Sequence, residues 1–172
     1  MKYWTFQRKG EGSPVKQLAD NIPVIPDWLT KDGPIAGCSV DAYRYLLQQF
    51  REKCCPHATG LIFGYAGYQT VDELYQAIDS IGAPGGSVFP PETHALLELE
   101  VPDGIPMMTV DFYRFSDLLF AFSEGDEAGL PLSVAKNDLF KPNGADAMEL
   151  PVTHIHEIRP EWVVNIHTPK SI

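Results

Sequence analysis

Prolines set the grain of this chain. Pro23, Pro26 and Pro34 fall within "NIPVIPDWLTKDGPIAG", and Pro84, Pro90 and Pro91 share "GAPGGSVFPPETH" with several glycines. A prolyl nitrogen has no hydrogen to donate and its φ is fixed, so neither stretch sustains a long helix or an interior strand. Both read as loops, as does the polar "RKGEGSPVKQ". Regular structure is left to the segments between them.

Three of those segments carry helical periodicity. In "SVDAYRYLLQQFREK" the residues Tyr43, Leu46, Leu47 and Phe50 form one apolar stripe, with Ser39 or Asp41 available as its cap. Thr70 and Glu73 make a capping box ahead of Val71, Leu74, Tyr75 and Ile78, and Gly82 stands at the expected stop. Asp111 caps a third helix with Phe112, Phe115, Leu119 and Phe122 on one side.

Other segments read as strands: "YWTFQ", the glycine-punctuated "GLIFGYAGY", "HALLELEVPDG", "IPMMTV", and two more in "ELPVTHIHEIRPEWVVNIHT" separated at Arg159 and Pro160. In the third of these, Ala95, Leu97, Leu99 and Val101 alternate with His94, Leu96, Glu98 and Glu100, which predicts one wetter face. Residues 123–147 read as a long surface excursion. This order predicts one α+β domain over residues 1–172, with about three helices and a mixed or mostly antiparallel sheet.

A net charge of −10 opposes non-specific attraction to nucleic acid, which requires cations against phosphates. No segment has the length of apolar sequence that a membrane span needs. The start lacks a basic region followed by an apolar run, so a cytoplasmic location is the default expectation. Cys38, Cys54 and Cys55 are an odd count without zinc-type spacing and read as reduced thiols.

Several residues are candidates for chemistry. His154 and His156 sit two apart and would point to one side of a strand, the beginning of a metal site that His167 could complete; ordinary strand histidines are the plainer reading. Glu98 and Glu100 could form an acid/base pair or a solvated strand face. Phe63, Tyr65 and Tyr68 could wall a flat ring or simply fill the core. Glu149 and Glu157 lie near strand ends and could project into a cleft.

The N-terminal W-T-x-Q strand, "AYRYLLQQFREK", the short aromatic strand, "LLELEVPDG" running on to "DFYRF", and the closing "EIRPEWVV" resemble an uncharacterised bacterial family known as a domain of unknown function. More distantly, the order of these blocks is similar to the ADP-ribosyltransferase-like fold. That resemblance implies a split, mostly antiparallel sheet that grips NAD and passes ADP-ribose to a protein or nucleic-acid acceptor. Carried onto this chain, it implies Thr5 and Gln7 beside the cofactor, Tyr65 stacked on nicotinamide, and Arg8 or Arg44 at the pyrophosphate. It also implies Glu149 as the catalytic carboxylate, or else Glu157. The competing expectation is a non-catalytic acidic domain that binds a basic partner.

Overall fold

A computed structural model describes residues 1–10, 13–20, 40–81, 89–144 and 147–170. Six strands, β1 (Lys2–Arg8), β2 (Ile62–Ala66), β3 (His94–Glu100), β4 (Met108–Val110), β5 (Val152–Ile155) and β6 (Val163–His167), form one sheet in the order β4-β5-β2-β1-β3-β6. Every pairing in it is antiparallel. The helices are α1 (Pro14–Ala19), α2 (Val40–Lys53), α3 (Val71–Ser80), α4 (Phe112–Glu124) and α5 (Leu132–Asp138).

The three long helices follow their stripes. Thr70 Oγ1 accepts the Glu73 N–H at 3.2 Å, while the Glu73 carboxylate accepts from the Gln69 N–H at 2.7 Å. The cap proposed at Ser39, the stop at Gly82, Cys38 and most of the two proline-rich loops lie outside the described residues. Two short helices were not legible. Ser13 caps α1 by accepting from the Lys16 N–H at 3.1 Å, inside a segment expected to be a loop. In the expected excursion, α5 forms because Ala135 and Leu139 have an apolar cluster to enter.

Cross-strand register sorts the side chains onto two faces. On one lie Trp4, Phe63, Tyr65, Leu96, Met108, Val110, Val152 and His154, packed in clusters with α2, α3, α4 and α5. On the other lie Tyr3, Ile62, Leu97, Leu99 and Ile155, packed with Val101, Ile158, Trp162 and the Val15 and Leu18 side chains of α1. The middle of β3 is therefore buried on both faces, and the wetter face expected for it is confined to its ends, at half-buried His94 and exposed Glu100. Its alternation of apolar and acidic residues survives burial because Glu98 is ion-paired.

β5 and β6 follow one another in sequence but do not form a hairpin. β2, β1 and β3 stand between them. A three-residue helical turn at Pro160–Trp162 carries the chain across, and Trp162 anchors that crossing in the cluster on the α1 face.

The two halves of the sheet meet at β1 and β2, which pair at just Tyr3–Ala66 and Trp4–Tyr65. Side chains complete the junction. The Tyr3 hydroxyl donates to the Thr153 carbonyl at 2.7 Å, with the Ile62 carbonyl 3.3 Å away, and Thr5 Oγ1 donates to the Phe63 carbonyl at 2.7 Å. Gly64 makes room for this: a Cβ there would stand 2.5 Å from Tyr3 Cζ and 2.4 Å from the Trp4 carbonyl oxygen. Because one of those obstacles is backbone, Gly64→Ala is expected to destabilise the protein by about 3 kcal/mol or more, measured by urea unfolding.

Candidate functional site

Burial and hydrogen bonding decide what each candidate side chain is free to do. Thr5 and Gln7 share a face of β1, but both are buried, and Gln7 Nε2 donates to Thr5 Oγ1 at 2.8 Å. Their polar atoms serve the strand junction. Tyr65 lies on the opposite face of the sheet, among the aromatics packed beneath the helices. Burial, with a smaller contribution from Tyr68, pushes its phenol up to about 12, so it is a neutral donor and not a base.

The carboxylate candidates separate along the β2–β5 register. Glu149 lies beyond Val152, toward the end of β2 that carries Tyr65, whereas Glu157 lies beyond the Ile62–Ile155 pair at the other end. The Glu149 side chain is exposed; its carbonyl accepts from the Phe112 N–H at 3.1 Å, and the Phe112 ring belongs to the same cluster as Tyr65. Glu157 is half-buried and paired with Arg159 at 3.3 Å. Arg8 is exposed at the end of β1, four residues from Tyr65's partner Trp4 or about 13 Å along the strand. Arg44 is exposed on α2. The Glu149 backbone thus lies beside Phe112, a member of the cluster that holds Tyr65, while Thr5 and Gln7 are set on the opposite face of the sheet from Tyr65.

Asp111 organises the Glu149 region. Fully buried, it accepts from Tyr113 N–H at 2.8 Å through Oδ1, and from Glu149 N–H at 2.7 Å and Asn143 N–H at 3.3 Å through Oδ2. One carboxylate thereby caps α4 and also holds the backbone N–H groups of Asn143 and Glu149. The next residue, Leu150, holds a left-handed φ of 43°, a conformation that costs a non-glycine residue about 1–2 kcal/mol and that its burial helps to offset. Asp111→Ala is expected to lower stability by about 2–3 kcal/mol, and hydrogen exchange would locate the loosening at Tyr113, Asn143 and Glu149.

Among the described residues the histidine pair does not assemble a metal site. The His154 Nδ1–H donates to the Met108 carbonyl at 2.9 Å, and its buried Nε2 has no partner among the described residues. Phe63 and Phe115 pack edge-on against the ring, at centroid distances of 4.8 and 5.5 Å. His156 lies against Phe50, and His167 is on the far edge strand. No group of three or more His, Cys, Asp or Glu residues suited to a metal ion occurs among the described residues.

Burial is the main cause that holds the His154 imidazole at about 4, against 6.5 ordinarily. Protonation therefore favours the unfolded chain: the native advantage is full above pH 6.5 and is lost as pH falls toward 4. Unfolding free energy is expected to drop by about 3 kcal/mol more across that window than it does in His154→Phe, as read by urea titrations at each pH.

Two polar groupings were missed in the sequence because they unite residues distant in the chain. On the helix-covered face Glu98 pairs with Lys2 through Oε2, and its Oε1 lies 2.9 Å from His167 Nε2. Burial alone would raise the Glu98 carboxyl, but hydrogen bonds from Lys2 and His167 outweigh it and hold the group below its ordinary range. Both oxygens are engaged, so this grouping staples β1, β3 and β6 together. The second is a groove of about 520 Å³ lined by Arg8, Lys9, Gly10, Glu92, Thr93 and His94.

β6 has one strand neighbour among the described residues, and it exposes Val164 (55%) and Ile166 (46%). A register shift opposite Glu98 and Leu99 interrupts its pairing, and Asn165 Oδ1 accepts the Ile166 N–H at 2.9 Å. The kink and the occupied N–H hinder indiscriminate strand addition while leaving the apolar side chains uncovered. No helix among the described residues is long and apolar enough to cross a membrane.

Comparison with known proteins yields no match to a family, a curated protein or a solved structure.

Proposed function

We propose that the protein is a non-catalytic acidic binding domain whose contact surface is the edge strand β6. The observation that carries this reading is the exposure of Val164 and Ile166 on an edge that has, among the described residues, a single strand neighbour, in a chain of net charge −10. Two copies would bring like charges together, so the surface suits a basic, extended segment of another protein. Such a segment would cover Val164 and Ile166 with alternate apolar side chains and displace Asn165 from the Ile166 N–H. Exposed Glu161, at the entrance to β6, adds an acidic group beside them.

A peptide alternating lysine with valine is the probe. Binding is expected to weaken at least tenfold in Ile166→Lys and to decline as salt rises, measured by fluorescence anisotropy. Equal affinity for the native protein and for a folded Ile166→Lys variant would reject the reading.

An NAD-dependent transfer of ADP-ribose is the second reading, favoured by the Glu149 backbone lying against Phe112, which packs in the same cluster as Tyr65. In that reaction a carboxylate would stabilise oxocarbenium character at the ribose as nicotinamide leaves. On this second reading, labelled NAD incubated with bacterial protein, RNA and DNA would label an acceptor, and Glu149→Gln would lose the transfer. No label and no NAD-induced rise in Tm would remove this reading.

A further inference from the structure

We propose that the groove between the ends of β1 and β3 binds a phosphate group, held by Arg8, Lys9 and His94. The inference is independent of the contact surface on β6. Arg8 and His94 are register partners at the strand ends, and Lys9 continues the same edge, so three nitrogenous side chains gather at one place in an acidic chain. Among the described residues Glu92 is the one carboxylate lining the groove, and no ion pair joins it to Arg8 or Lys9. Arg8 has no hydrogen bond or ion pair there either, which leaves its planar fork free for two oxygens of one phosphate.

The surroundings hold these groups in place. The Lys9 N–H donates to the Thr93 carbonyl at 2.9 Å, and Lys9 Nζ donates to the Pro91 carbonyl at 3.0 Å. Thr93 Oγ1 lies 2.8 Å from His94 Nδ1, leaving Nε2 for a ligand. Phe89 packs edge-on against His94 and is itself stacked on Phe6 at 4.5 Å. Gly10, with φ of 116° and open space above it, lets the backbone turn at the groove without a side chain obstructing it.

Electrostatics gives the site its preference. Burial is the larger cause that lowers the His94 pKa, and repulsion from Arg8 adds to it, against a smaller opposing effect of the Pro90 backbone. An anion seated between the two cations reverses that repulsion, so binding and His94 protonation reinforce each other. The groove is open to solvent and its volume exceeds that of a phosphate ion.

The test follows the His94 ring by NMR through a pH titration, with the resonance assigned by loss in His94→Gln. Millimolar inorganic phosphate or phenyl phosphate is expected to raise the His94 pKa beyond the change caused by chloride at matched ionic strength. Arg8→Gln is expected to raise the ligand-free pKa and to weaken the phosphate effect about tenfold or more. Tighter binding of phenyl phosphate assigns the groove to phosphorylated small molecules, and equal binding assigns it to free phosphate. A shift matched by chloride, or unchanged in a folded Arg8→Gln variant, overturns the proposal. Lysine–valine peptide binding at β6 is expected to be unaffected by Arg8→Gln, which separates failure of this site from failure of that surface.

Discussion

The close approach of Tyr3 to Gly64 is the constraint on which the rest of the structure depends. β1 pairs with β3 along its full length but with β2 at two positions, so the backbone ladder alone joins the two halves of the sheet weakly. The Tyr3 ring crosses that junction, and its hydroxyl reaches the carbonyl of Thr153 on β5, one strand beyond β2. Burial drives the phenol well above its ordinary pKa, with Tyr65 adding to the effect, which keeps the hydroxyl a donor. Glycine at position 64 is required because the ring and the Trp4 carbonyl occupy the space that a side chain would take.

The same junction accounts for Thr5 and Gln7. Placed among aromatics in the first strand, they are similar to residues that would hold a cofactor, yet both lie inside and Thr5 is bonded across the junction. Buried polar groups need partners, and a strand that departs from its neighbour leaves a carbonyl, that of Phe63, for a side chain to satisfy. Asp111 performs the corresponding task at the start of α4, where three backbone donors converge on one carboxylate. In both places a polar residue resembling a functional one completes the backbone's hydrogen bonding.

Much of the fold was legible because local periodicity has a local cause. The stripe from Tyr43 to Phe50, the capping box at Thr70 and the cap at Asp111 each depend on neighbours within a turn or two, and each appears as expected. α1 and α5 were not legible, since six or seven residues carry too little pattern and short helices draw their stability from packing. The candidate site was legible in part. Alternation placed Thr5 and Gln7 together, but nothing in the spacing said that Tyr65 belongs to the opposite face or that Glu157 lies at the other end of β2 from Tyr65. Those facts depend on register between strands dozens of residues apart.

Composition and pattern by themselves determined an acidic α+β chain, its three long helices and the strands that form its sheet. The tertiary structure alone decided that β5 and β6, adjacent in sequence, stand on opposite sides of a three-strand centre. That decision separated His154 from His167, joined His167 to Glu98 and left Val164 and Ile166 on an edge, while the pairing of β1 with β3 gathered Arg8 with His94. The physical reason is that helix stripes and caps are short-range, whereas strand order follows from which distant apolar faces are buried together. Trp162 secures the crossing to β6 in the cluster with Tyr3, Leu97 and Leu99.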